Sequence, residues 1–138
     1  MMNKSILTLM ASVLVLFSSC DLLNCTQADV SLLRIEIYDA GGNKVMLPDT
    51  LTIRASGTET ILVNRDVNTQ EILLPMSYHA PVDTFIVRYY GKYYSFEDTL
   101  FVEKTNDVFF ESPDCPTVMM HTIQSASCTD EFMSSVEV

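Results

Sequence analysis

The chain has few basic residues and only two histidines. Its 138 residues contain 8 Lys and Arg against 18 Asp and Glu, which gives a formal net charge of −10. No basic patch is present, so we expect no nucleic-acid partner, because phosphates are bound through clustered Lys and Arg. The acidic residues are scattered and lack the D-x-D-x-D-G spacing of a calcium loop. No metal or other cofactor is therefore predicted.

The chain also lacks a hydrophobic run long enough to span a bilayer. Its main apolar run, ILTLMASVLVLF at residues 6–17, has the length of a signal-peptide core and follows the positive charge of Lys4. Phe17-Ser18-Ser19-Cys20 comes next, and small residues before a cysteine are the pattern that a lipoprotein signal peptidase cleaves. We predict that residues 1–19 are a signal peptide and that Cys20 carries acyl chains. The alternative is conventional cleavage, which leaves Cys20 as an ordinary thiol.

The remaining chain has the length of one ordinary domain. We assign residues 20–30 to a lipidated tether and residues 31–138 to the domain. Several acyl chains, each contributing about 0.8 kcal/mol per buried methylene, hold such a domain firmly on a bilayer. The predicted location is the cell envelope, with the lipid in the outer membrane and the domain facing the periplasm or the cell exterior.

The domain has no helix-period segment and alternates apolar with polar residues. In LLRIEIY, the side chains of Leu33, Ile35 and Ile37 share one face, which is the period-two pattern of a half-buried strand. The turn-forming sequence DAGGN follows. Further short strands are predicted at residues 45–47, in TLTIRA, ETILV, EILL and VFFES, and at residues 117–125 and 131–138.

The clearest hairpin is DTFIVRYYGKYYSFEDTLFVEK, at residues 83–104. Gly91-Lys92 favours a two-residue type II′ turn, whose twist matches that of the flanking strands. Asp98 interrupts the apolar alternation of the second strand. A further turn is predicted at residues 105–107. The residues expected to share the inner face are Phe85, Val87, Tyr89, Tyr94, Phe96, Leu100 and Val102.

About nine short strands without helices bury their apolar faces only by packing sheet against sheet or by closing on themselves. We therefore predict an all-β fold, a single β-sandwich that is immunoglobulin-like in the loose sense. A small β-barrel is the alternative.

Three cysteines, Cys25, Cys115 and Cys128, remain once Cys20 is lipidated. The oxidising environment of an exported chain favours a disulfide, and three pairings are possible. Pairing Cys25 with Cys115 would pin the tether to the domain, and a loop of about 90 residues would contribute roughly 4 to 5 kcal/mol. Pairing Cys115 with Cys128 is the local alternative.

Neither histidine lies in a recognisable catalytic or metal motif. A zinc site at His121 would draw on Asp114, Cys115 and Cys128, but the spacing C-x5-H-x6-C is not a usual zinc pattern, and a disulfide removes thiolates. His79 has no nucleophile motif such as G-x-S-x-G near it. We interpret both histidines as ordinary strand or loop residues, and a hydrolase remains only a weakly supported alternative.

Four tyrosines flank the hairpin tip: Tyr89, Tyr90, Tyr93 and Tyr94. Alternation turns two of the four inward, where cross-strand tyrosine pairs stabilise hairpins. Tyr90 and Tyr93 are therefore candidates for contact with a protein partner or a glycan.

Several ordered motifs, DTLTIRASGTETILVNR, LPMSY followed by VDTFIVRYY, and FFESPDC, resemble a family of small lipoproteins of Bacteroides-type bacteria known only as a domain of unknown function. The resemblance covers residues 21–136. It implies an anchored all-β domain in which Cys25, just after the lipidated cysteine, pairs with Cys115 of the SPDC motif. The chain departs from the family pattern at Pro116, where relatives usually have Gly, and relatives continue beyond the strand at 131–138 into a further strand.

The family implies no activity. We predict a non-enzymatic envelope lipoprotein that binds other envelope proteins through a sheet edge or through the tyrosine hairpin. The alternative is a glycan-binding accessory lipoprotein that uses Tyr90 and Tyr93.

Overall fold

Seven strands form the regular structure. The computed structural model describes Cys25 and residues 30–137. Within these residues we find no helix, and hence no helical segment with the length and apolarity to cross a bilayer. The strands are β1 (Leu32–Glu36), β2 (Thr50–Ala55), β3 (Ile61–Asp66), β4 (Glu71–Pro75), β5 (Val82–Tyr90), β6 (Ser95–Phe109) and β7 (Val118–Cys128).

The strands pair into two antiparallel sheets. β1 pairs with β4, and the other five strands lie in the order β3-β2-β5-β6-β7. The larger sheet keeps β3 and β7 as its two edges, so the predicted alternative of a closed small barrel is wrong. The all-β, sandwich-like architecture is confirmed, with seven strands rather than about nine.

The core lies between the two sheets because each strand places alternate apolar side chains on its inner face. Leu33, Ile35 and Ile37 pack against this core from β1 and the residues just after it, as their spacing predicts. Full burial of one such aliphatic or aromatic side chain stabilises the fold by about 1.5 to 3 kcal/mol relative to exposure. The buried cluster consists of Leu51, Ile53, Ile72, Leu74, Phe85, Val87, Leu100 and Val102.

β6 is longer than the sequence predicts, because residues 105–107 continue the strand instead of turning. Thr105 pairs with Thr122 and Asp107 with Met120, so β7 extends the ladder along the whole segment. A register shift next to Lys104 absorbs one extra residue of β7. The strand accommodates the polar Asn106 because its side-chain amide donates to the Ala80 carbonyl at 3.1 Å.

The predicted strand at 131–138 is absent from its described part, residues 131–137. The backbone N–H groups of Glu131, Phe132 and Met133 each donate to the Asp98 carboxylate at 2.9 Å. Three consecutive N–H groups directed at one side chain cannot alternate as a strand ladder requires. Asp98 is therefore the acceptor that holds the segment after β7. This role explains why a carboxylate interrupts the apolar alternation on the inner face of β6.

Two smaller predictions are also wrong. Residues 45–47 form no strand, and only isolated bridges occur there, Tyr38 with Lys44 and Leu47 with Thr69. The hairpin between β5 and β6 has a four-residue loop, residues 91–94, because Tyr90 pairs with Ser95. The Gly91 N–H donates to the Tyr94 carbonyl at 3.0 Å, so the tip consists of Lys92 and Tyr93, and the predicted turn at Gly91-Lys92 is displaced by one residue.

Candidate functional site: a groove beside the tyrosine hairpin

The four tyrosines of the hairpin divide between the fold and the solvent. We call the end of the sandwich that carries residues 91–94 the hairpin pole. Tyr89 is partly buried against the core, whereas Tyr93 is 85% exposed at the tip, where the Lys92 ammonium lies 4.9 Å from its ring centroid. Of the two rings expected to turn inward, Tyr89 does so, whereas Tyr94 contacts the Tyr89 ring but is 40% exposed.

An aromatic cluster stabilises the hairpin pole. Tyr89 lies 5.9 Å from Tyr94 and 5.6 Å from Phe132, and Phe96 contacts both Tyr94 and Phe132. Aromatic pairs at such separations contribute roughly 0.5 to 1.5 kcal/mol beyond their buried area. Tyr89 is therefore a structural residue, whereas Tyr94 belongs to the cluster but stays 40% exposed. Tyr93 is the most exposed of the four rings, and Tyr90 is half-buried.

Asp49, in the segment before β2, ties that segment to both inner tyrosines. The Tyr94 hydroxyl donates to Asp49 Oδ2, and the Asp49 N–H donates to the Tyr89 hydroxyl oxygen at 3.3 Å. The hydrogen bond to the Asp49 carboxylate, together with the one to Tyr89, raises the pKa of Tyr94 far above its ordinary value. Tyr94 therefore remains protonated and keeps its ring fixed at the mouth of the groove described next.

An open groove of about 460 Å³ lies on the outer face of the larger sheet at the hairpin pole. Thr52 of β2 and Arg88 of β5 form its floor, since their neighbours Leu51, Ile53 and Val87 face the core on the opposite side. None of the described residues that line the groove carries a carboxylate. Its walls are formed by Ile61, Asn64, Arg65, Tyr90, Gly91, Tyr94 and Ser95.

Arg65, at one wall, has an uncommon backbone conformation with φ of +58°. It lies in an irregular part of the β2–β3 ladder, where Leu51 pairs with Asp66 but Ile53 pairs with Val63. The Arg65 N–H donates to Thr52 Oγ1 at 3.3 Å. A bulge of this kind redirects the side chains of the bulged strand, and such irregularities are frequent next to functional sites.

Of the two predicted contact residues, only Tyr90 borders the groove. Tyr93 lies at the tip, next to Lys92, and is not among the groove residues. Their contact with a partner stays a prediction. Arg65 was missed by sequence analysis, and no sequence signal marks it, because a left-handed Arg after Asn64 looks like any polar loop residue.

The opposite end of the sandwich carries the disulfide, and we call it the disulfide pole: Cys25 and residues 108–116. Cys25 and Cys115 are joined, with Cα atoms 5.8 Å apart, which confirms the pairing implied by the family resemblance. Cys115 is thereby unavailable as a thiolate ligand. Cys20 and residues 1–19 lie outside the described residues, so the predicted lipidation and signal peptide are untested.

Cys128 is a free, partly buried thiol. Its Sγ donates to the Met133 carbonyl at 3.4 Å. Burial and the nearby carboxylates of Asp98 and Asp130 raise its pKa. A thiol that stays protonated is a poor nucleophile and a poor metal ligand.

The histidines lie apart from the groove. His79 is exposed in the loop after β4. His121 Nδ1 lies 2.8 Å from Asn106 Oδ1, an acceptor, so Nδ1 carries the proton. Burial and the positive charge of Lys104, opposed by Asp83, lower the pKa of His121. No group of three metal-ligating side chains is found among Cys25 and residues 30–137.

A buried cation, also missed by sequence analysis, fastens the loop after β4 to β6. The Lys104 ammonium donates to the Ser77 and Ala80 carbonyls at 2.7 Å and to Asn106 Oδ1 at 2.8 Å. Asp83 Oδ2 lies 3.4 Å from the same nitrogen. All three ammonium protons are thus used, and the charge is compensated, as burial requires.

Comparison with models of protein families identifies the family of this chain. Residues 50–138, well over half of the chain, match a family of unknown function, DUF6452. The match extends from β2 through the SPDC motif and β7, and it leaves out β1 and Cys25. Searches of curated proteins and of solved structures find no match. The chain belongs to the DUF6452 family of unknown function.

Proposed function

We propose that this protein is a lipid-anchored component of the cell envelope, of the Bacteroides-type lipoprotein kind, and that it acts as a non-catalytic binding or assembly module. The Cys25–Cys115 disulfide carries the proposal, because it joins the chain just after Cys20 to one end of the sandwich. Cys20 and Cys25 are five residues apart, a span of at most about 18 Å in extended chain. Acyl chains on Cys20 would therefore hold the disulfide pole next to the outer membrane.

The exposed side chains at the disulfide pole support this orientation. Val108, Phe109 and Phe110 end β6 and begin the following loop, and Phe110 is 66% exposed. Neighbouring apolar side chains at a surface indicate an interaction site, and a bilayer interface accommodates such rings. The anchored end of the domain thus has the chemistry of a surface that rests on lipid.

The hairpin pole lies at the opposite end of the same strand. Fourteen residue steps separate Ser95 from Phe109, which corresponds to about 46 Å at a rise of about 3.3 Å per residue. A domain held at Phe109 would present Tyr93 and the groove away from the membrane, toward the periplasm or the cell exterior. This geometry supports a role in binding other envelope proteins or glycans.

Intact-mass spectrometry of the protein from a Bacteroides-type host tests the anchor. The full reading frame is expressed, and the membrane fraction is extracted with a neutral detergent. We expect a mass that lacks residues 1–19, gains acyl chains on Cys20 and shows the two hydrogens lost at the disulfide. Cys20→Ala is expected to abolish acylation, because the acyl chains are attached through this cysteine. A wild-type protein with an unmodified Cys20, recovered in the medium, contradicts the proposal.

In vivo photocrosslinking tests the binding role. p-Benzoylphenylalanine in place of Tyr93 is expected to capture a discrete envelope partner. The same group in place of Tyr38, which is also exposed but belongs to the region of the smaller sheet, is the matched control. Identical adducts at both positions, or none at Tyr93, would count against a binding module that works through the hairpin pole.

A further inference from the structure

The positive charges of this acidic protein are unevenly distributed. Lys104 is buried and fully bonded, and Arg34 and Lys44 pair with Glu71 and Glu36 in and beside the smaller sheet. The other basic residues of the described chain lie on the outer face of the larger sheet or at the hairpin tip, and they are Arg54, Arg65, Arg88 and Lys92.

Two of these guanidinium groups lack an ion-pair partner in the part of the chain that the structure describes. Arg88 is paired, since its Nε and Nη2 lie 3.2 and 2.6 Å from Glu97 Oε2. Arg54 and Arg65 have no carboxylate within ion-pair distance among the residues that the structure describes. Arg54 borders a smaller hollow that shares Thr52 and Arg88 with the groove. The groove and the hollow therefore adjoin, and although Glu97 in the hollow offsets Arg88, Arg54 and Arg65 leave this surface with a local excess of positive charge on a chain of net charge −10.

The fold incurs a conformational cost to hold Arg65 at this surface. A left-handed backbone is unfavourable at a residue other than Gly, and the surrounding structure must impose it. Here the bulge of β3 and the hydrogen bond to Thr52 impose it.

We propose that the groove binds an acidic oligosaccharide, one whose sugar rings carry carboxylate or sulfate groups. This deepens the proposed binding function and rests on it. Free guanidinium groups bind such anions through paired hydrogen bonds. Tyr90 and Tyr94 supply ring faces against which sugar rings pack. Amide and hydroxyl groups of Asn64, Thr52 and Ser95 match sugar hydroxyls.

The size and charge of the surface favour this ligand class over other anions. A groove of about 460 Å³ has the size of a site for small ligands. Nucleic acid carries one charge for about every 1.7 Å of duplex and needs many cations. Two free arginines on a strongly acidic chain cannot supply them. A short oligosaccharide with one anionic group per ring carries only a few charges, so it needs far fewer cations than nucleic acid does.

Isothermal titration calorimetry with the full-chain protein in a neutral detergent tests the proposal. The probes are a galacturonic acid trimer and a sulfated galactose oligomer, with the methyl ester of the first and the desulfated form of the second as neutral controls. We expect one of the acidic probes to bind, its neutral form to bind at least tenfold more weakly, and 0.5 M salt to weaken binding. Which probe binds identifies the acidic group.

Two variants locate the site. Arg65→Gln is expected to weaken binding at least tenfold, and Arg54→Gln provides a second test if the Arg65 variant does not fold. Arg34→Gln, on the smaller sheet, is the matched control and is expected to bind as the wild type does. No binding of either acidic probe, equal binding of a neutral form, equal loss in Arg34→Gln, or equally tight binding of a glutamate hexapeptide would overturn the proposal.

The two proposals fail separately. A lipidated protein that binds neither acidic sugar overturns the saccharide site and leaves the anchor standing. A protein that binds the acidic sugar but lacks acyl chains overturns the anchor alone.

Discussion

The two poles of the sandwich hold their neighbouring chain segments by different chemistry. At the disulfide pole a covalent bond joins Cys25 to the loop after β6. At the hairpin pole, the Asp98 carboxylate and the ring of Phe132 hold the segment after β7. The disulfide can be broken by a reductant but does not respond to pH. The hydrogen bonds to Asp98 depend on the ionisation of its carboxyl group. The two ends of the domain are thus expected to respond to different conditions, the disulfide pole to reductant and the hairpin pole to acid.

Removing the covalent tie is expected to have the largest effect. Cys25→Ser with Cys115→Ser opens a loop with a sequence separation of 90 residues. In the chain-entropy model the free energy of unfolding falls by about 4 to 5 kcal/mol. Urea denaturation measures the loss, and Cys128→Ser, which removes the free thiol, is the matched control with a change of under about 1 kcal/mol. A loss below about 1 kcal/mol in the double variant would mean that the disulfide does not stabilise the domain.

Weakening the hydrogen bonds to the Asp98 carboxylate is expected to lower the free energy of unfolding by less than removing the disulfide does. Asp98 is fully buried and accepts three backbone N–H groups and the Thr129 hydroxyl. Asp98→Asn replaces one acceptor oxygen by a donor that faces backbone donors, so we expect a loss of about 2 to 4 kcal/mol in the free energy of unfolding. Asp107→Asn, on the same strand but exposed, is the control, with a change of under about 0.5 kcal/mol. Equal stability of the two variants would contradict this role of Asp98.

The pH dependence of stability separates the two poles further. Burial alone would raise the pKa of Asp98, but the hydrogen bonds from Met133, Phe132, Glu131 and Thr129 outweigh it, so the pKa lies below its ordinary value. A depressed carboxyl pKa contributes stability above the unfolded value of about 4, and this contribution is lost as the pH falls through the folded value. The stability gap between wild type and Asp98→Asn should therefore narrow below about pH 4. A gap that stays constant down to pH 2 would show that ionisation of Asp98 does not matter.

The smallest expected change in stability follows from a substitution at the hairpin tip. A Cβ atom at Gly91 would lie 2.8 Å from Cε1 and Cζ of the Tyr94 ring, so this ring must move in Gly91→Ala. Because the ring is partly exposed and can shift, we expect a loss of only about 1 kcal/mol in the free energy of unfolding. Lys92→Ala in the same loop is the control. Thermal melts and the Tyr94 hydroxyl titration measure the change, and a normal titration in wild type would contradict the bond to Asp49.

The sequence predicted what depends on local pattern. Alternation in LLRIEIY and TLTIRA correctly placed Leu33, Ile35, Leu51 and Ile53 toward the core. The alternation pattern failed to predict the structure where a contact with a residue distant in sequence determines it. Asn106 is typical of a turn in sequence, but its side-chain amide donates to the Ala80 carbonyl and it lies within β6. Residues 131–137 were predicted as a strand, but the Asp98 carboxylate accepts the N–H groups of Glu131, Phe132 and Met133.

The same limit applies to the candidate site. The tyrosine cluster is visible as a sequence feature, and Tyr90 does border the groove. The groove itself depends on how β3 bulges against β2, which brings Arg65 next to Thr52 across 13 residues of sequence. Local propensity carries no information on that pairing, because a polar loop sequence is compatible with many registers.

The orientation of the two poles relative to the bilayer is the most direct test of the account. p-Benzoylphenylalanine in place of Phe110, at the disulfide pole, or of Tyr93, at the hairpin pole, reports which end contacts lipid, since both positions are well exposed. After irradiation of membranes containing the full-length protein, we predict lipid adducts in mass spectra of the Phe110 variant and none in those of the Tyr93 variant. Lipid adducts at Tyr93, or equal adducts at both positions, would contradict a domain anchored at its disulfide and presenting its groove to the other side.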